Sequence, residues 1–201
     1  MGFGLIFTGY IALLFFKVLP PAMLAGAYLM YRGLRRMNLY GKPFVRAKNA
    51  AAALCGYFAL YTALWIGSLA GVLGGLFKND VFVLCDDILY YALLLVFHIC
   101  LYAALEAMAR ECGYEKGIKN VYFARVLTAM FYVLTAARMV TSFFASPGYL
   151  PFACLVCQLV WLLYTAALLY GFYMRISTDE ILEDEERKIA AYNARFGGKR
   201  R

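Results

Sequence analysis

The chain has 201 residues, 64% of them hydrophobic and 16% charged, with a mean hydropathy of +0.68, a balance outside the usual range of soluble domains. Its strongly polar stretches are two short loops and a tail of about 27 residues, below the usual domain minimum, which excludes a separate soluble catalytic domain. The net charge of +8 does not indicate nucleic acid, because the basic residues flank apolar runs, where they set topology and attract anionic lipid.

From Gly2 to Tyr31 the sequence is apolar except for Lys17 and the pair Pro20 and Pro21. Each half makes about 22 Å of helix against a bilayer core of about 30 Å. A hairpin of two short helices turning at Lys17 to Pro21 is preferred to one kinked helix, because adjacent prolines remove two donors and disfavour helix before each ring. With no basic residue ahead of the apolar run, a cleavable signal peptide is not expected.

The opening Gly4-Leu5-Ile6-Phe7-Thr8-Gly9-Tyr10, then Pro20-Pro21, then Gly26 to Arg36, resembles the start of a group of uncharacterised multi-pass membrane proteins from Gram-positive bacteria. The resemblance covers about the first 50 residues. It lacks the acidic residue those proteins often carry beside the proline. It implies a bacterial cytoplasmic membrane location and supplies no activity.

Arg32 to Lys48 is a basic loop with six of the twenty cationic residues. From Asn49 to Phe77 a long span carries small residues on one side at Ala52, Gly56, Ala59, Ala63, Gly67, Gly71 and Gly75. The last three form GxxxGxxxG, a pattern that lets a neighbouring backbone approach closely. It predicts a packing face within the bundle or, alternatively, a dimer interface.

After a turn at Lys78 to Asp80, the run from Cys85 to Arg110 places Asp87, Tyr91, His98, Tyr102 and Glu106 within roughly a 100° arc of one helix face. Lipid offers these groups no hydrogen bonds, so the seam is expected to face protein or a wet cavity. Arg110 to Arg125 is a second cationic loop marked by Gly113 and Gly117. The span from about Val121 to Ser146 then carries Thr128, Thr135, Arg138 and Ser142 in one sector. Ser146 to Tyr149 is a turn, and Leu150 to Met174 spans back with Cys154, Gln158 and Thr165 on one side.

Seventeen of the twenty basic residues fall in three segments, 32 to 48, 110 to 125 and 175 to 201, which the positive-inside rule makes cytoplasmic. The expected fold is thus an all-α polytopic membrane bundle of six helices, the first two short, with both termini cytoplasmic. Residues 1–175 form the transmembrane domain and 176–201 a cytoplasmic amphipathic tail. In that tail Ser177 to Glu180 is a capping-box pattern, and Leu182, Ile189 and Phe196 make an apolar stripe suited to the membrane surface or a partner.

Depth arithmetic pairs two charges. Asp86 and Asp87 lie about 9 to 11 Å inward from Asp80, and Arg138 about 12 Å inward from Ser146, so an ion pair of Arg138 with Asp87, or else Asp86, is expected. The pair fixes helix register or forms a ligand site. His98, the only histidine, falls near the bilayer midplane. Its ring either relays protons along the seam or hydrogen-bonds across a helix interface.

Cys154 and Cys157 form a CxxC near the outer end of the last span, with Cys85 at similar depth. This resembles quinone-linked disulfide-forming enzymes and the vitamin K epoxide reductase family, implying a thiol oxidoreductase; the alternative is two small residues filling an interface. One histidine and scattered cysteines lack metal-ligand spacing, so no metal is expected. No HExxH, GxSxG or phosphate loop is present, and no cofactor is expected.

The leading functional expectation is a non-enzymatic membrane protein that binds a small polar solute or ion as a transporter-like module or sensor. Asp87 and Arg138 would contact the ligand, with His98, Tyr91, Tyr102 and Gln158 around it. The second is an accessory subunit whose Gly67, Gly71 and Gly75 face and tail recruit a second copy or a protein partner. The thiol oxidoreductase is the third.

Overall fold

Pro20 and Pro21 stand at the first positions of a helix, where their fixed φ is already helical and the missing N–H groups have no partner to lose. Leu19 before them is extended (φ −127°, ψ 80°), as the proline ring requires. The computed structural model describes residues 2–15, 18–38, 41–72, 75–141 and 149–196; side chains are described for these except 14, 15 and 176–196. The helices are α1 (Phe3–Ile11, prolonged by a tighter turn Ala12–Phe15), α2 (Pro20–Arg36), α3 (Lys42–Leu69), α4 (Asp80–Glu111), α5 (Glu115–Thr141) and α6 (Tyr149–Phe196).

The first two helices form the expected hairpin, and glycines hold them together. A Cβ on Gly9 would stand 2.4 Å from the Gly26 carbonyl oxygen, and one on Gly33 would stand 2.7 Å from the Gly2 carbonyl oxygen. The glycines recur seven residues apart on both helices, so the two backbones run antiparallel in close contact. At about 22 Å for α1 with its extension, this hairpin is short of a full crossing. The four helices long and apolar enough to cross a membrane are α3, α4, α5 and the part of α6 up to Arg175.

Each helix packs on its neighbours in the chain, and α6 closes the ring against α1. The core lies inside this ring, while Leu60, Val96, Ile99, Val133 and Leu163 on the long helices face outward, each at least half exposed. An apolar exterior of this extent suits hydrocarbon rather than water. One end of the ring, here the inner end, carries the end of α2, the start of α3 and the α4–α5 connection; the start of α4 lies at the outer end.

Three boundaries differ from expectation, each for a local reason. Helix α3 stops at Leu69 because Gly71 takes φ +78°, with Val72 N–H bonding back to Gly67 and Gly71 N–H to Ser68. Gly71 and Gly75 therefore lie in the connection, and the expected GxxxGxxxG helix face is not formed. Gly113 (φ +63°) closes α4 in the same way, so α5 starts at Glu115 and Gly117 is helical, with the Tyr114 ring against it. The last span and the tail are one continuous helix to Phe196, so the capping-box pattern at Ser177 lies inside it. Lys17, Ser142, the turn before Tyr149 and the closing basic residues lie outside the described residues.

Candidate functional site

The middle of the ring is polar, closed and internally satisfied. His98 on α4 is fully buried; its Nδ1–H donates to the Leu94 carbonyl at 2.7 Å, and the neutral ring then accepts from the Tyr10 hydroxyl of α1 at 2.6 Å. One turn inward, the Tyr102 hydroxyl donates to Thr165 Oγ1 at 2.8 Å, while Thr165 gives its own proton to the Trp161 carbonyl at 3.0 Å. The same phenol oxygen accepts from Trp161 Nε1 at 3.1 Å and shares the Thr128 hydroxyl with the Ala124 carbonyl. One donated and two accepted bonds exhaust a phenol. Trp161 stacks on Phe131 with centroids 4.7 Å apart and lies 4.4 Å from the His98 ring.

This arrangement does not form a continuous proton path. The rings of His98 and Tyr102 lie 5.7 Å apart between centroids, and among the described residues no hydrogen bond joins them. Glu106, at the inner end of the seam, binds Arg110 Nη2 at 2.7 Å and Arg125 Nη2 of α5 at 2.6 Å. Arg175 of α6 lies over the Tyr114 ring at 4.8 Å, tying the last helix to the same end.

At the outer end α4 and α5 separate around a pocket of about 190 Å³. Its polar wall is Asp80, Asp87 and Tyr91 from α4 with Thr135 and Arg138 from α5; Val83, Leu84 and Met139 supply the apolar wall. Asp87 and Arg138 thus share one pocket, but among the described residues no ion pair joins them. The expected ion pair between these two side chains is not formed, and Tyr91 lies within electrostatic reach of both. The Tyr91 carbonyl accepts from Tyr132 of α5 at 2.8 Å, and Thr135 donates to the Phe131 carbonyl at 2.9 Å, which fixes the lower walls.

Asp86 turns about 100° away from its neighbour, as successive helical residues do, and faces α3. There the Tyr57 hydroxyl donates to Asp86 Oδ1 at 2.8 Å, beside a second, mostly apolar pocket of about 170 Å³. The adjacent aspartates therefore serve different interfaces.

Of the sequence candidates, Asp87, Tyr91 and Arg138 line the outer pocket, whereas His98, Tyr102 and Gln158 do not. His98 and Tyr102 belong to the closed centre, and Gln158 is buried on α6. Cys154 is also buried, its thiol directed at the Leu134 carbonyl at 3.5 Å; Cys157 is half-buried, and both thiols are free. Among the described residues no three His, Cys, Asp or Glu side chains gather as a metal site. On α3, Ala52, Gly56, Ala59 and Ala63 face outward, with nothing within 4 Å of a Cβ built on Gly56.

Sequence reasoning missed Tyr10, Trp161 and Thr135's place beside Arg138 in a pocket. Trp161 gave a usable signal: it sits at mid-span, whereas membrane tryptophans concentrate at the interfaces. Comparison with protein-family models, with characterised proteins and with solved structures found no match to this chain.

Proposed function

We propose that this chain is a non-enzymatic integral membrane protein that holds a small polar solute or ion in the pocket between the outer ends of α4 and α5. The observation that carries this reading is that Asp87 and Arg138, together with Asp80, line one pocket at the outer ends of α4 and α5. Ionisable groups at membrane depth are rare and mark functional sites. Tyr91 and Thr135 add hydroxyls beside them, and the positive-inside bias puts the pocket on the outer face of a bacterial cytoplasmic membrane, with both termini inside.

The centre beneath the pocket separates a sensor from a conduit. Tyr102 has its hydrogen bonds exhausted and no hydrogen bond among the described residues links it to His98, which favours a binding or sensing subunit over a proton conduit. The pocket is smaller than the 300–1,000 Å³ or so typical of drug-sized ligands, which restricts it to small solutes.

Melting of the purified full-length protein against a panel of small cations, anions and zwitterions tests the reading. A hundredfold excess of ligand over Kd stabilises by about 2.7 kcal/mol, or roughly 5–10 °C for a chain of this size. At least one member is expected to raise Tm in the wild type and to have no effect on the Asp87→Asn, Arg138→Gln double variant. No shift with any member, or a shift that survives both substitutions, overturns the reading.

The outward small-residue face of α3 favours a second reading, an accessory subunit that pairs with another copy or a partner helix. Cysteine cross-linking at Ala59→Cys in membranes supports it if covalent dimers form and removes the second copy if none do.

A further inference from the structure

We propose that the inner ends of α2 and α3 form a docking face for the headgroups of anionic phospholipids in the inner leaflet. This face is separate from the outer pocket. From Met1 to Asn79 the chain carries eight Lys and Arg and no Asp or Glu. Six of those cations, Arg32, Arg35, Arg36, Lys42, Arg46 and Lys48, gather where α2 ends and α3 begins, and the two helices pack on each other. All but Lys48 are exposed. Among the described residues no ion pair or side-chain hydrogen bond reaches any of the six.

The other half of the inner end is largely neutralised. There Glu106 holds Arg110 at 2.7 Å and Arg125 at 2.6 Å, and Arg175 lies over the Tyr114 ring. Lys116 and Lys119 share their stretch with Glu111 and Glu115. Up to Arg175, five cations and three acids leave a net charge of +2 beside α4, α5 and α6, against +6 beside α2 and α3.

Depth selects a lipid over a soluble partner. Arg32, Arg35 and Arg36 share a face of α2 about 100° wide with Ala25 and Tyr28, and all five are exposed. Tyr28 marks the membrane boundary, where tyrosines concentrate, and the three guanidiniums lie about 6 to 12 Å beyond it, at the phosphate layer. A guanidinium takes a phosphate through paired N–H donors. A soluble acidic protein or nucleic acid must displace the leaflet to reach Arg32, whereas a phospholipid already lies there with its chains against the apolar face above Tyr28.

Local fluorescence quenching tests the face. The full-length protein with Trp65→Phe takes a reporter at Tyr28→Trp on α2 or at Tyr122→Trp, an exposed tyrosine near the inner end of α5. The fully buried Trp161 gives a constant background. Each protein is reconstituted in phosphatidylcholine vesicles containing brominated phosphatidylglycerol or brominated phosphatidylcholine, and circular dichroism checks that every variant is folded. Brominated phosphatidylglycerol is expected to be enriched over brominated phosphatidylcholine by about fivefold or more at position 28 and by less than about twofold at position 122. Arg32→Gln with Arg36→Gln should lower the enrichment at position 28 by about fivefold or more and leave position 122 unchanged. Raising the salt should lower it as well.

Enrichment at position 122 equal to or above that at position 28 overturns the proposal, because a uniformly basic inner side gives that result. No enrichment at either position, or enrichment at position 28 that survives both substitutions, overturns it as well. Enrichment at position 28 that appears only after the six acids between residues 179 and 186 are neutralised also overturns it, and gives the face to the chain's own acidic segment.

Discussion

At the inner end of the α4–α5 pair, Glu106 and Arg125 meet at 2.6 Å; at the outer end, Asp87 and Arg138 line the two sides of a pocket of about 190 Å³. The residue types are nearly the same, so charge complementarity does not decide which end closes. What lies between them does. Beneath the pocket the middle is filled by Trp161, Phe131 and Tyr102, stacked and hydrogen-bonded, and the inner end is tied by the Tyr114 and Arg175 contact. At the outer end Tyr91 packs on Tyr90 and Phe131, yet Asp80, Asp87, Thr135 and Arg138 still line an open pocket.

Substitutions that remove the filling should give the largest effects. Trp161→Ala deletes a fully buried indole and a donor to Tyr102 and is expected to cost about 3–5 kcal/mol, read as loss of Tm or of expression. Val83→Ala in the outer wall should cost under about 1 kcal/mol. Equal losses at both would erase the distinction between a packed centre and an open mouth.

A smaller effect tests the glycine contact that seats α1 against α2. Gly26→Val puts side-chain atoms where even a Cβ would stand 2.4 Å from Ala12 Cβ, and overpacking of this kind costs about 1–3 kcal/mol. Tyr10→Phe leaves the buried Nε2 of His98 without its 2.6 Å partner and should cost about 1–3 kcal/mol, whereas Tyr91→Phe at the pocket should change Tm little. The smallest effect is expected for Glu106→Gln. This removes a partly exposed ion pair worth about 0–1 kcal/mol, and the loss should shrink as salt is raised.

The sequence carried the features that physics writes locally. The proline pair placed the hairpin, hydropathy and basic loops placed the long helices, and rise per residue put Asp87 and Arg138 at matching height. Features that depend on distant partners were not legible: nothing near His98 announces Tyr10, 88 residues away. The GxxxGxxxG pattern misled because one of its glycines has a stronger local use, closing α3 at positive φ. The heptad spacing of Gly2 and Gly9, mirrored by Gly26 and Gly33 across the prolines, was readable in principle but lies in helices shorter than a membrane span. The two charges were placed correctly in depth, yet depth alone does not fix whether facing groups touch or leave room between them.

Water access along α4 and α5 tests the account most directly. In vesicles of known sidedness, with the exposed Cys85 and Cys112 both changed to Ser, Thr135→Cys should react with a small membrane-impermeant thiosulfonate added from outside, and His98→Cys should stay unreactive from either side. Reaction at position 98, or none at position 135, would contradict a pocket that opens outward above a closed centre.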